Sequence, residues 1–203
     1  MDGINIALLN DIVGEIGEEK TKELLSDFSC PLNPDVEIFF RDKSIYFGKQ
    51  GLAQTHIVLM SYKNEPVIVG YYALASKSIE IPKRIVPSAT WRKRIAKFAT
   101  YDSFTSSYKL PIPLIAQLGK NYKNGHNTLI TGDILLKLAC DSVKEAQRVI
   151  GGKMAYLECE NIDALKQFYT RNGFFEFGER ELDRDEIGLV KTKTLIQMFK
   201  YLH

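Results

Sequence analysis

Residues 114–139 read LIAQLGKNYKNGHNTLITGDILLKLA. An apolar run ending at Lys120 is followed by a polar, turn-rich loop over 121–130. An amphipathic stretch from Thr131 then continues to Ile150 and ends at Gly151 and Gly152. The pattern predicts a strand over Pro111–Lys120, a loop, and the longest helix of the chain over Thr131–Ile150, with Ile134, Leu135, Leu138, Val143, Ala146, Val149 and Ile150 as its apolar stripe. The first turn of a helix leaves backbone N–H groups without partners and carries partial positive charge, which suits a phosphate. Gly125 and Gly132 allow close backbone approach. Asn124, Asn127 and Thr131 add side-chain donors, and Lys120 and Lys123 add charge nearby. The same residues also suit a structural loop capped by Thr131.

Downstream, Met154–Glu160 reads as a strand, Asn161 as the cap of a short helix that stops at Asn172 and Gly173, and Gly173–Asp183 and Lys193–Leu202 as two more strands. Upstream, Thr55–Met60 and Pro66–Ala75 are β-branched and apolar, joined by a short turn, and predict a hairpin. Ile4, Leu8, Leu9, Ile12, Val13 and Ile16 recur at spacings of three and four and predict an opening helix over 4–16. Asn33, Pro34, Asp35 and Glu37 mark a second helix start, with Gly51 as its stop. From Thr55 onward the order is β-β-(helix)-β-α-β-α-β-β. This is the α/β class with a mixed (α+β) sheet of about six strands, in one domain spanning 1–203, with N-terminal helices over 1–51 and an inserted helix within 81–110.

That insert carries the one large charge asymmetry. Between Ile81 and Tyr101 lie Lys83, Arg84, Arg92, Lys93, Arg94 and Lys97 and no acid, so the segment carries +6. The whole 203-residue chain carries +2, which leaves −4 for the remainder. The near balance excludes a general polyanion-coating protein, while the insert suits either a solvated helix face or an anionic partner. Trp91 and Tyr101 there fit stacking on a base or packing in the core. No apolar run reaches membrane-spanning length, which predicts no membrane partner. The acids Asp11, Glu15, Glu18 and Glu19 argue against a secretory leader. Cys30, Cys140 and Cys159 form no metal spacing, and their odd number suits a reducing cytoplasm.

Three further features bear on chemistry. In NIDALKQFYTRNGF, residues 161–174, Tyr169 sits near the end of a short helix, where it suits either proton donation or packing. Glu158 and Glu160 share one face of a strand, as a candidate base through water or as part of a solvated sheet face. Of the histidines, His56 reads as a core or edge residue and His126 as a loop residue in reach of a ligand. Cys159, flanked by glutamates, is a poor nucleophile.

Taken in order, IPLIAQLGK, the loop ending TGDILL, and NIDALKQFYTRNGF resemble the GCN5-related N-acetyltransferases (GNAT) over roughly residues 52–202. The front, FSCPLNPDVEIFFRDKSIYFGKQGLAQTHIVL with VGYYALA after it, is loosely similar to the branch of bacterial toxins that acetylate the amino acid on charged tRNA. The resemblance implies a sheet splayed between its fourth and fifth strands, with acetyl-CoA in the gap. It implies that Gln117, Leu118 and Gly119 pair with the pantetheine arm. The pyrophosphate would sit on Asn127, Ile130, Thr131, Gly132 and Asp133. Aligning the family's last loop glycine with Gly132 puts Ile130 where the family has its middle glycine. Asn161 matches the asparagine that contacts the cofactor arm, and Tyr169 the tyrosine that protonates the departing thiolate.

The implied reaction is direct attack of a primary amine on acetyl-CoA. Three versions stand: an N-acetyltransferase of unspecified amine, a toxin-type enzyme acting on aminoacyl-tRNA with the 83–97 region on RNA, and a non-catalytic CoA-binding or protein-interaction module. The apolar face of 4–16 suits packing on the sheet or on a second copy as a homodimer.

Overall fold

The computed structural model describes residues 3–86, 88–182 and 192–202. The chain divides into two compact units, Met1–Ala75 with Ile115–Ser142, and Ser76–Leu114 with Val143–His203.

The first unit opens with a correction. Residues 4–16 are not one helix: Ile4–Leu8 form strand β1 and Leu9–Ile16 form helix α1. β1 pairs antiparallel with β2 (Gln54–Tyr62), from Ile4 opposite Met60 to Leu8 opposite His56. The apolar spacing that reads as helical also fits a five-residue strand followed by a helix, and the open edge of β2 selects the strand. Gly17, at φ 83°, ends α1 and leads into α2 (Glu18–Leu25). Asn33 then caps α3 (Pro34–Ile38) as expected, its side-chain oxygen accepting from the N–H groups of Asp35 (3.1 Å) and Val36 (3.4 Å). A wider π-type turn over Phe39–Lys43 connects to α4 (Ser44–Lys49), and the chain leaves the helical run at Gly51, φ 69°.

These segments bury a core of Leu9, Leu25, Phe28, Val36, Phe39, Phe40, Ile57, Ile68 and Tyr71. Tyr71 is its centre. Its ring stacks on Phe40 at 4.4 Å and meets Phe28 edge-on at 5.2 Å, and its buried hydroxyl donates to the Val36 carbonyl at 2.6 Å. Each such buried aromatic side chain contributes about 1.5–3 kcal/mol.

β2 and β3 (Glu65–Pro82) form the expected hairpin, closed by Lys63 and Asn64, both at positive φ (53° and 66°), the pair of conformations that a two-residue turn of right-handed twist needs. Val58 pairs with Gly70 and Leu59 with Ile68, so β3 bulges by one residue at Val69. Beside the bulge runs the C-terminal part of β5 (Ser107–Lys120). A side chain on Gly70 would meet the Gly119 carbonyl at 2.8 Å, and one on Gly119 would overlap Val36. Glycine at both places is what lets β5 lie this close.

The second unit holds the end of β3, α5 (Ala89–Ile95), β4 (Thr100–Asp102), the first half of β5, β6 (Met154–Glu160), α7 (Asp163–Arg171), β7 (Phe175–Glu181) and β8 (Thr194–Tyr201). β8 lies between β6 and β7, antiparallel to both. β4 pairs antiparallel with β5, Tyr101 opposite Tyr108. Ser88 caps α5 by accepting from the Trp91 N–H at 3.2 Å. Ile79, Ile81, Ile95, Leu110, Ile112, Tyr156, Phe177 and Phe199 form this unit's core. Trp91 packs against it, edge-on to Phe199 at 5.4 Å, which resolves its two readings in favour of packing. Among the described residues the six expected strands are present, and β1 and β4 add two. The expected strand end at Asp183 lies outside the described residues.

Helix α6 (Gly132–Ile150) contributes to both units. Its buried residues are Leu135, Leu136, Ala139, Cys140, Val143 and Gln147. The expected stripe was wrong at its end: Ala146 is exposed, as are Val149 (87%) and Ile150 (74%), because the last turn runs beyond the core. No helix among the described residues is long and apolar enough to cross a membrane.

One amide anchors the end of β5. Asn121 is 1% exposed. It donates to the carbonyls of Asp27 and Ile68 (2.9 Å each) and accepts from the N–H groups of Ser29 and Lys123 (3.0 Å each). All four hydrogen-bonding positions of the side-chain amide are used. Truncation would leave buried backbone groups unpaired, so Asn121→Ala should lower stability by about 3 kcal/mol. Urea unfolding measures this; a loss within about 0.5 kcal/mol, the range of ordinary surface substitutions, would contradict the role.

Candidate functional site

The end of the strand, the loop and the start of the helix expected to bind an anion lie in the first unit. On β5, the Gln117 side chain donates to the Asp35 carboxylate at 2.9 Å, Leu118 is half-buried, and Gly119 is buried against Val36, Phe28 and Tyr71. Beyond Asn121, the loop turns through Asn124 (φ 53°) and Gly125 (φ 74°), left-handed conformations that asparagine and glycine tolerate best. Lys120 reaches across the loop and donates to the Asn127 carbonyl at 3.0 Å, while Lys123 pairs with Asp27. Both lysines therefore brace the loop.

At the helix start, Thr131 serves as the cap. Its hydroxyl accepts from Ile134 N–H at 3.2 Å and its carbonyl from Leu135 N–H at 3.1 Å. Helical bonding begins there, and the amides just ahead belong to the end that a helix leaves outside its ladder. Ile130, in the place of a glycine in the resembled family, is 2% exposed. Its side chain is part of the interior, and its backbone still forms the approach to the helix. His126 lies in this loop with Nδ1 buried and unpartnered, its ring edge-on to Tyr62 at 6.0 Å.

The other two expected site residues lie in the second unit. Tyr169, on α7, is half-buried between Phe168 (4.9 Å) and Phe174 (5.9 Å). Burial, with Cys159 as a smaller influence, raises its phenol well above the usual tyrosine range, so it holds its proton at neutral pH. Asn161 does not cap α7. Ile162 occupies the cap position without a side-chain bond, and exposed Asn161 donates to Glu179 at 3.2 Å. Burial, then Glu176, pushes the Cys159 thiol up to about 12, in the expected direction for a poor nucleophile.

The reading of Glu158 as a base, or as part of a solvated face, is overturned. Its side chain is 10% exposed and fully engaged. Arg180 grips it with two bonds (Nε at 2.9 Å, Nη2 at 2.7 Å), Lys77 donates at 2.9 Å, and the Tyr156 hydroxyl at 2.5 Å. Gln197 donates to the Tyr156 oxygen at 2.9 Å. Burial alone would raise the carboxyl, but the bonds from Arg180, Tyr156 and Lys77 outweigh it and hold Glu158 at about 2. Such a carboxylate takes no proton near neutrality. Glu160 is buried as well. Arg180 and Lys77 stand 22 and 81 positions from Glu158 in sequence, and nothing local in the sequence points to either.

The six basic residues of the insert behave differently. Lys83, Arg84, Arg92, Lys93 and Lys97 are exposed, and Arg94 stacks on Trp91 (5.4 Å) and Tyr201 (4.9 Å). Among the described residues none of the six is in an ion pair.

This arrangement of strands and helices is the GNAT fold. No protein-family model matches the sequence, and no curated protein matches it. Solved structures do. AtaT complexed with acetyl-methionyl-tRNAfMet is similar with a TM-score of 0.62 at 14% identity, over 95% of this chain and 93% of that one. A tyrosine-to-phenylalanine variant of KacT gives 0.61 at 15% identity, over 96% and 94%. AtaTR bound with AcCoA gives 0.57 at 17% identity, over 97% and 94%.

Removing the carboxylate charge would leave Arg180 and Lys77 without their shared partner, so Glu158→Gln should cost about 3 kcal/mol at neutral pH. Because the folded value lies below the ordinary 4.5, this stabilisation is present above about pH 4.5 and is lost as pH falls toward 2. Unfolding curves of the two proteins should converge over that window. A gap independent of pH would contradict the assignment.

Proposed function

We propose that this chain is an N-acetyltransferase that moves an acetyl group from acetyl-CoA to a primary amine by direct attack. The observation that carries the reading is the GNAT fold, shared over nearly the whole chain with structures that include AtaTR bound with AcCoA. The donor supplies a thioester carbonyl and a thiol leaving group. In the first unit, the backbone of Gln117, Leu118 and Gly119 would hold the pantetheine arm, and Asn127 and the 130–133 backbone the pyrophosphate. The buried side chain of Ile130 is compatible with this, because a backbone cradle needs only its N–H. In the second unit, Asn161 would touch the cofactor arm and Tyr169 would give its phenolic proton to the departing sulfur, a role suited to a group that stays protonated at neutral pH. The bond formed is amine nitrogen to carbonyl carbon, the bond broken is carbon to sulfur, and the proton that the nitrogen sheds replaces the one that Tyr169 gives to sulfur.

The acceptor reading that the residues favour is the α-amine of an aminoacyl-tRNA. With Glu158 withdrawn as a base, an α-amine, which is about half neutral near pH 8, is better supplied with nucleophile than a lysine side chain. The exposed, unpaired cations of the insert suit a polyanion, and the similar AtaT structure holds acetyl-methionyl-tRNAfMet. A cytoplasmic location would follow from such a substrate.

Calorimetry should detect acetyl-CoA binding. Tyr169→Phe should slow turnover roughly 10²- to 10⁴-fold while leaving that affinity intact. Absence of acetyl-CoA affinity, or turnover unchanged in the variant, would contradict the assignment; binding without turnover on any amine would favour a binding module. Replacing Arg92, Lys93 and Lys97 together by glutamine should weaken RNA binding and flatten its dependence on log salt by about 2, if each contacts one phosphate. An unchanged slope would remove the insert from the RNA reading.

A further inference from the structure

We infer that Phe104 and Tyr101, on the β4–β5 hairpin, form a stacking platform for unpaired bases of a bound RNA strand. The inference rests on the RNA reading above and names the part of the surface that would read single-stranded nucleotides.

Phe104 is 97% exposed at the tip of the hairpin. The tip is well braced. Asp102 Oδ1 accepts from the N–H groups of Phe104 (2.9 Å) and Thr105 (3.3 Å), and Oδ2 takes the Lys109 ammonium at 2.8 Å. Ser106 adopts a left-handed conformation (φ 52°), and its carbonyl accepts from Lys83 N–H at 3.0 Å. The Thr105 and Ser107 hydroxyls bond at 2.6 Å, and Ser107 donates to Glu80. A phenyl ring is thus held in water by a tip with little freedom of its own. A lone exposed phenylalanine needs no explanation. This one has company: Tyr101, three residues earlier, is 43% exposed, packs on Tyr108 at 5.2 Å, and carries the Lys83 ammonium over its ring at 5.4 Å.

The local charges suit a nucleotide. Lys83 anchors the tip and continues into Arg84, and α5 with Arg92 and Lys93, followed by a turn with Lys97, precedes β4. The acids present are Asp102, neutralised by Lys109, and Glu80, bonded to Ser107. Flat aromatic faces beside unpaired cations match a base joined to a phosphate. A duplex hides its base faces and would use only the cations, so the exposed rings specify unpaired nucleotides.

Fluorescence anisotropy at low salt would compare a labelled single-stranded oligoadenylate with an RNA duplex of equal length, using the full chain. Phe104→Ala should weaken the single strand roughly tenfold and leave the duplex unchanged, and Phe104→Trp should retain binding. Lys83→Gln should weaken both forms. Acetyl-CoA affinity should be constant throughout. Single-strand affinity unchanged in Phe104→Ala, the result expected if the ring meets a protein instead, would overturn the platform, as would equal losses on both RNAs. If the wild type binds neither RNA, the platform and the RNA acceptor both fall, and retained acetyl-CoA affinity would show that acetyl transfer does not fall with them.

Discussion

A single buried amide holds the end of β5 in place. Asn121 uses both N–H groups and both lone-pair directions of its side chain, tying the α2–α3 connection to β3 and to the start of the following loop. Two glycines make this possible. Gly70 and Gly119 remove the side chains that would separate β3, β5 and Val36. The loop that follows is then braced by Lys120 on Asn127 and Lys123 on Asp27, and it delivers the chain to the Thr131 cap. The direction of the α6 terminus depends on that sequence of constraints, because it is set by the chain entering the helix.

Much of the fold was legible because it follows from local periodicity and punctuation. The strands from 54 onward other than β4, the Asn33–Pro34 helix start, the long helix from residue 132 and the stop at Gly173 all carry their signal within a few residues. The misses share a cause. β1 is five residues long and has an apolar spacing that also suits a helix, so only its pairing with β2 decides it. β4 has three residues and exists through its ladder with β5. The exposed end of α6 depends on where the core stops.

The placement of the candidate site residues was legible to a similar degree. Residues 117–119 and 127–133 do lie on the expected strand, loop and helix start of the first unit, and Tyr169 on the expected helix of the second. Strand alternation puts Glu158 and Glu160 on one face but cannot show what covers that face. Arg180, Lys77 and Tyr156 turn Glu158 from a candidate base into the centre of an ion cluster. For the acetyltransferase proposed above, the acceptor would then bring its amine already neutral. The role of Asn121 has no local signal, because a polar residue after a strand ordinarily marks only a turn and its partners lie 53 to 94 positions away apart from Lys123.

Acetyl transfer to an aminoacyl-tRNA is most directly tested by incubating the protein with acetyl-CoA and charged tRNA, then recovering the amino acid by nuclease digestion for mass spectrometry. The account predicts an aminoacyl nucleoside heavier by one acetyl group on its α-nitrogen, formed in step with free CoA. Unmodified aminoacyl nucleoside after prolonged incubation with active-concentration protein would contradict it.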